Sequence, residues 1–362
     1  MTDIIAITMP RWGLTMEEGT LTEWLVPLGG EVAAGVDIVE IESTKLAGTV
    51  EAPSAGVLRR QTILPGRTIP VGTLLGVIAD AGVSEEEIDA FAADFKPPED
   101  DGEAAESLRP QSVEVDGQLL SYLRHGEGAP LLFVHGFGGD AMGWVFVQNE
   151  LAQHADTIAV DLPGHGASDK SIRKADLGGQ AAIVAGFIRA LGLGKVHLVG
   201  HSMGGGVCLA LATAEPDLVA SLTLLAPMGL GRDINAQYLE AFVVAQKKRD
   251  VEAALRMLFA DESLVTRSLV DDVLKYKRLD GVDMALAAIQ EAILQDGRQA
   301  EVFDVERLDC PLTLIAGEAD RIIPPEQVAA QGGRLLDGVG HMPQAEAAAI
   351  VADAIRSILA AG

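Results

Sequence analysis

Cysteine is almost missing from this chain. Cys208 and Cys310 are the only two in 362 residues, so neither a disulfide framework nor a cysteine-built metal cluster is signalled. Basic side chains are scarce too. The 27 Lys and Arg are set against 53 Asp and Glu, for a formal net charge of -26. Nucleic acids and anionic membranes are bound through basic patches, and a balance this acidic argues against both. The start, Met1-Thr2-Asp3-Ile4, has neither a basic segment nor a long apolar run, so no secretory or membrane-spanning segment is expected and the reading is a cytoplasmic protein. Apolar residues are not lacking. They make up 48% of the chain, enough to bury a large core in two or three domains.

Three textures follow one another. Residues 1–80 are short apolar runs punctuated by glycine, and Val36-Asp37-Ile38-Val39-Glu40-Ile41-Glu42 alternates at period two. That pattern reads as half-buried strands of a small all-β sandwich or flattened barrel. Residues 81–111 form an acidic linker. Within it, Ser84 and Glu87 make a capping box, and Ile88, Phe91, Ala92 and Phe95 share one helical face, so one short amphipathic helix packed onto the preceding domain is expected. From 112 to 362, apolar strand segments at 131–134, 157–160, 196–199, 222–225 and 312–315 alternate with helical ones. This is the signature of a mostly parallel α/β sheet. Residues from about 229 to 305 read as helices with little strand, an insertion placed to act as a lid.

The strongest chemistry is local. Val196-His197-Leu198-Val199 runs into Gly200-His201-Ser202-Met203-Gly204 and then into helical sequence, which is G-x-S-x-G in the strand–turn–helix context it requires. Glycines are needed where a strained elbow leaves no room for Cβ atoms. A bare G-x-S-x-G is weak evidence, but the partners follow in the order Ser, Asp, His. Asp320 lies in a loop after the strand at 312–315, and His341 in Gly340-His341-Met342-Pro343. His341 is then the base for Ser202, with Asp320 holding its tautomer; Glu318 is the poorer acid, since it precedes the loop. The backbone N–H groups of Phe137, in His135-Gly136-Phe137-Gly138-Gly139, and of Met203 are the expected oxyanion hole. The flanking His135, His165 and His201 read as loop architecture, and Cys208 as core.

These elements, together with Asp161-Leu162-Pro163-Gly164-His165-Gly166, resemble the α/β-hydrolase superfamily. At the other end, Met9 through Gly19, Trp24, Glu42-Ser43-Thr44-Lys45 and Ala52-Pro53 resemble lipoyl domains. That resemblance implies a lipoyl group (lipoate) attached at Lys45, between two strands. Biotin carriers usually place Met on both sides of the lysine, whereas Thr44 and Leu46 stand here; lipoyl domains commonly carry Asp at the position of Thr44. The usual lipoyl-linked acyltransferase signature, H-x-x-x-D-G, is absent, as is the usual subunit-binding domain between residues 80 and 112.

The fused architecture resembles the dihydrolipoamide acetyltransferase component of bacterial acetoin dehydrogenase complexes. The resemblance implies acetyl transfer from the arm to coenzyme A by way of Ser202. It also implies three partners: a thiamine-diphosphate-dependent acetoin dehydrogenase component, a dihydrolipoamide dehydrogenase and a lipoylating enzyme. Coenzyme A carries phosphates, and Lys275, Lys277 and Arg278 in the lid are expected contacts for them. Two other readings stay open on the residues alone. The same triad serves water as readily as a thiol, so a tethered thioesterase or esterase fits, and so does a carrier scaffold whose serine is idle.

Overall fold

The computed structural model describes residues 4–10, 18–42, 47–80, 82–96 and 110–360. They form two compact units, the first chiefly of residues up to Glu106 and the second chiefly of residues from Ser107 onward.

The first unit is two four-stranded antiparallel sheets. Its strands are β1 (Ile4–Thr8), β2 (Glu18–Trp24), β3 (Glu31–Val32), β4 (Asp37–Glu42), β5 (Ala47–Glu51), β6 (Gly56–Gln61), β7 (Arg67–Pro70) and β8 (Leu74–Ala79). One sheet runs β1-β8-β6-β3 and the other β5-β4-β2-β7. Ile7, Leu21, Ile38, Ile41, Leu58, Leu75 and Ile78 meet between them as a sealed core. In β4 the period-two alternation breaks, because Ile38 and Val39 are both fully buried. The ladder slips by one residue between Asp37 and Val39, and such a bulge lets neighbouring side chains turn the same way.

Helix α1 (Glu85–Asp94) starts from the capping box: Ser84 Oγ accepts from the Glu87 N–H, and Glu87 reaches back to the Ser84 N–H. Its Ile88 packs with Leu74, Val77, Ala79 and Val83, and Phe91, Ala92 and Phe95 close around them. The expected face is therefore the buried one. It also explains why β8 is buried along its whole length: one side faces the barrel core and the other faces α1.

The second unit is built on an eight-stranded sheet. Strands β9 (Gln111–Val115) and β10 (Gln118–His125) form an antiparallel ribbon. They are followed by β11 (Pro130–Val134), helix α2 (Val145–Leu151), β12 (Asp156–Val160), α3 (Leu177–Ala190), β13 (Val196–His201), α4 (Met203–Ala214) and β14 (Val219–Leu225). The chain then enters helices α5 (Ala236–Val244), α6 (Lys248–Leu255), α7 (Arg267–Lys277) and α8 (Val282–Ile293), and a small hairpin of β15 (Leu294–Gln295) and β16 (Arg298–Gln299). It returns through β17 (Leu312–Gly317), α9 (Glu326–Ala329), β18 (Arg334–Leu336), α10 (Pro343–Glu346) and α11 (Ala348–Leu359).

The sheet order is β18-β17-β14-β13-β11-β12-β10-β9, parallel from β12 through β18. Each strand segment read from the sequence lies inside one of these strands. The unread β9–β10 ribbon carries its own signal, since Asp116-Gly117 has positive φ at both residues, the backbone of a type I′ hairpin turn. The same Asp-Gly chemistry at Asp296-Gly297 closes β15–β16, so a short hairpin follows the last α-helix of the insertion between β14 and β17.

Because Ile88 has no exposed surface, Ile88→Ala should destabilise the packing of α1 by about 2–4 kcal/mol. Hydrogen exchange of residues 83–95 in the full-length chain should accelerate accordingly; unchanged protection would contradict the packing described.

Candidate active site

Ser202 stands at the junction of β13 and α4 with φ 53° and ψ -118°, outside the conformations a serine ordinarily adopts. Contacts on all sides hold it there. Its N–H donates to the Leu225 carbonyl (2.9 Å), and its own carbonyl accepts from the N–H groups of Met228 (2.9 Å) and Gly206 (3.2 Å). A Cβ on Gly204 would come 2.2 Å from the Val134 carbonyl oxygen, and one on Gly200 would come 2.7 Å from that of Gly204. The glycines on either side of the serine are thus demanded by close backbone approach.

The three residues read as nucleophile, base and acid come together. Ser202 Oγ lies 2.9 Å from His341 Nε2, and His341 Nδ1 lies 2.8 Å from Asp320 Oδ2. Asp320 is oriented by its second oxygen, which accepts from the N–H groups of Ile322 (2.7 Å) and Ile323 (3.0 Å). Both His341 and Asp320 are almost fully buried. A carboxylate on Nδ1 leaves the lone pair of neutral imidazole at Nε2, facing the serine hydroxyl.

Phe137 lies in the loop after β11, and Met203 is the first residue of α4, where a helix leaves N–H groups without intrahelical partners. The loop is drawn tight against the serine: a Cβ on Gly136 would meet His201 at 2.8 Å and Ser202 at 3.1 Å. Around it the flanking histidines work as spacers. His165 Nε2 accepts from the Gly138 N–H (3.1 Å) while its Nδ1 faces the Pro163 carbonyl (3.1 Å). His135 Nε2 accepts from the Leu162 N–H (3.0 Å), with Nδ1 on the Gly136 carbonyl (2.8 Å). His201 Nε2 donates to the His341 carbonyl (2.7 Å). Asp161 ties two more loop N–H groups, those of Ala141 and Ala167 (2.7 and 2.8 Å). Cys208 is buried under the elbow, and burial pushes its thiol pKa well up, so it is part of the core.

Of the three cations read as coenzyme A contacts, two lie at the surface. Lys275 is exposed and pairs with Asp272 (2.8 Å), and Arg278 is exposed. Lys277 departs from the expectation. Its ammonium turns inward, donates to the Phe242 and Val243 carbonyls at the end of α5, and lies 4.6 Å from the centre of the Phe242 ring. It caps a helix C-terminus, where a cation is favoured, and burial lowers its pKa. Lys45 lies outside the described residues. The ends of β4 and β5 on either side of it are paired, Glu42 opposite Ala47. Among the described residues no group of three or more His, Cys, Asp or Glu is placed to hold a metal, and no helix is long and apolar enough to cross a membrane. Glu346 and Arg321, unread in the sequence, stand beside the histidine and the acid; neither sits in a motif, and only tertiary contact shows what they bind.

His135, His165 and His201 each have a pKa lowered from the ordinary value of 6.5, with burial as the main cause. The unfolded chain therefore takes up protons on these residues near pH 6.5, where the folded chain does not. Stability from this source is present above that pH and lost as pH falls through it. The melting temperature should decline steadily from pH 7 to pH 5; a flat profile would contradict the neutral, buried assignment.

A model of the α/β hydrolase family matches residues 131–354, and a model described as biotin-requiring enzyme matches residues 5–78. Across nearly the whole chain, the dihydrolipoyllysine-residue acetyltransferase component of the acetoin cleaving system of Cupriavidus necator is 42% identical over 353 residues, 95% of this chain and 94% of that protein. The protein of the same description from Pseudomonas putida is 42% identical over 358 residues, 96% of each. Among solved structures, a meta-cleavage product hydrolase from Pseudomonas fluorescens superposes with a TM-score of 0.63 at 23% identity, covering 68% of this chain and 96% of that one, a likeness of fold alone.

Proposed function

Because the chain belongs to the α/β hydrolases and, across 95% of its length, to the family of dihydrolipoyllysine-residue acetyltransferase components, we propose that it moves an acetyl group from a lipoyl arm on Lys45 to coenzyme A through Ser202, His341 and Asp320. The observation that carries this reading is the hydrogen-bonded run from Ser202 to His341 to Asp320 (2.9 and 2.8 Å) in a chain whose first unit matches a biotin- and lipoyl-type carrier. The paired ends of β4 and β5 flanking residues 43–46 suit a carrier lysine between them. Bound there, a lipoyl group supplies the acyl group as a thioester on a long tether.

The residues of the second unit do the rest. Ser202 Oγ attacks the thioester carbonyl as His341 Nε2 takes its proton. The carbonyl oxygen becomes an oxyanion facing the N–H groups of Phe137 and Met203, each such donor being worth about 3 kcal/mol. Collapse breaks the C–S bond, His341 returns the proton to the leaving thiolate, and an acetyl-serine remains. The thiol of coenzyme A then gives its proton to His341 and attacks the ester, releasing acetyl-coenzyme A and restoring Ser202. Asp320 stabilises the imidazolium formed at each half-reaction. The acyl-enzyme survives to meet a thiol only where water is kept away, a task that falls to the insertion between β14 and β17.

The same reading assigns a thiamine-diphosphate-dependent component as the source of the acetyl group, a dihydrolipoamide dehydrogenase to reoxidise the arm, a lipoylating enzyme acting on Lys45, and a cytoplasmic location. For the phosphates of coenzyme A it retains Lys275 and Arg278 and releases Lys277.

Ser202→Ala should abolish coenzyme-A-dependent acetyl transfer, and Asp320→Asn should slow it by about 10⁴-fold. Supplied with S-acetyl-dihydrolipoamide, the protein should form acetyl-coenzyme A; release of acetate at a rate indifferent to coenzyme A would replace the transferase reading with a hydrolase. Charge reversal at Lys275 and Arg278 should raise the KM for coenzyme A several-fold at low salt, and an unchanged KM would remove them from the phosphate site.

A further inference from the structure

The loop that carries His341 is held from two directions. Its carbonyl accepts from the His201 Nε2–H (2.7 Å), inside the hydrolase core. Its N–H donates to the Leu258 carbonyl (2.7 Å), and Leu258 belongs to the inserted segment between α6 and α7. The backbones are in direct contact here, since a Cβ on Gly340 would stand 2.6 Å from the Ala260 nitrogen and 2.8 Å from the Leu258 oxygen.

One side chain spans this seam. Glu346, the last residue of α10, accepts with Oε1 from the Ala260 N–H (2.7 Å) and, more distantly, from the Asp261 N–H (3.4 Å). Its Oε2 accepts from the Gly340 N–H (2.8 Å). A carboxylate is suited to this because both oxygens are acceptors, so two N–H groups from different segments close on one rigid group. The acid loop holds the same stretch. Arg321, next to Asp320, donates to the Phe259 carbonyl (2.6 Å) and to the Arg256 carbonyl, and pairs with Glu262 (3.3 Å). Asn235, at the start of the insertion, donates from Nδ2 to the Arg321 carbonyl (3.0 Å) and from its backbone N–H to that of Ile322 (2.8 Å).

We propose that Glu346 is a positioning residue, and Arg321 its counterpart on the acid loop: together they register segment 256–262 of the insertion on the two loops that present His341 and Asp320, so that base and acid are aligned only while that segment is seated. The inference rests on the Ser202–His341–Asp320 site proposed above and adds a dependence of that site on its cover. With the segment displaced, His341 loses the acceptor for its N–H and Gly340 loses its backbone support. The imidazole would then be free to drift from Ser202 at the moment the site is open to water. Chemistry and closure are thereby tied through one carboxylate.

The test uses the full chain and a fluorophosphonate, whose phosphorus bonds to Ser202 Oγ as fluoride leaves and His341 takes the proton. Glu346→Gln keeps the volume but leaves one acceptor where two are needed. The maximal labelling rate should fall about tenfold, the scale of a sub-ångström misalignment. The half-saturating probe concentration should stay within twofold and the final labelled fraction should stay complete. A folding defect would instead lower the labelled fraction and leave the rate of the remainder intact. Arg321→Met, which keeps a long side chain but has no donor for the Phe259 and Arg256 carbonyls, should behave like Glu346→Gln. A maximal rate equal to that of the unsubstituted chain in Glu346→Gln, or a loss confined to the labelled fraction, overturns the proposal. An unsubstituted chain that fails to label at all overturns the serine reading itself, a result distinct from either.

Discussion

Ser202 is held at φ 53° and ψ -118°, and the second unit is arranged around keeping it there. A residue in such a conformation costs about 1–3 kcal/mol, which the surroundings must offset by permitting no alternative. Three hydrogen bonds fix its peptide groups to β14, to the loop that follows β14 and to α4. Gly200 and Gly204 remove the Cβ atoms that would otherwise collide with neighbouring backbone, and Gly136 lets the loop after β11 press against the serine from the other side. The buried strands β11, β13 and β14 supply the rigid floor. Relax the elbow, and the hydroxyl no longer meets His341.

The polar groups beneath that floor show how a buried loop system is measured out. Histidine offers one donor and one acceptor a fixed distance apart, and His135 and His165 use both to set loop backbones against one another. Asp161 does the same with two acceptors, and Glu346 repeats it where the insertion meets the loop that carries His341. Burial lowers the pKa of all three flanking histidines, so this scaffolding favours uncharged rings beside Ser202.

Much of this was legible because the deciding interactions are local in sequence. The elbow needs glycine at two positions beside the serine, the capping box at Ser84 and Glu87 needs only one helical turn, and strands buried on both faces read as continuous apolar runs. Asp320 and His341 could be singled out because each follows a strand end in a fixed order, and the fold brings both to Ser202. Lys277 was misread because a cation in a basic run looks solvated, and only the fold reveals that the end of α5 lies within its reach. Glu346 and Arg321 escaped for the converse reason: a carboxylate or guanidinium that grips backbone leaves no mark on the sequence of the segment it holds. The β9–β10 ribbon did announce itself, through Asp116-Gly117, in a stretch where strand alternation is weak.

The eight-stranded sheet ends at β18 on one side and β9 on the other. The β18 edge is three residues long and begins with the exposed Arg334, and β9 turns back as half of a two-stranded antiparallel ribbon. Short, charged or twisted borders of this kind give a second strand almost nothing to pair with. At the β18 border, copies of the molecule crowded together therefore find little backbone to extend into an intermolecular sheet. A partner that meets the molecule at this border would have to grip side chains in place of the sheet's backbone.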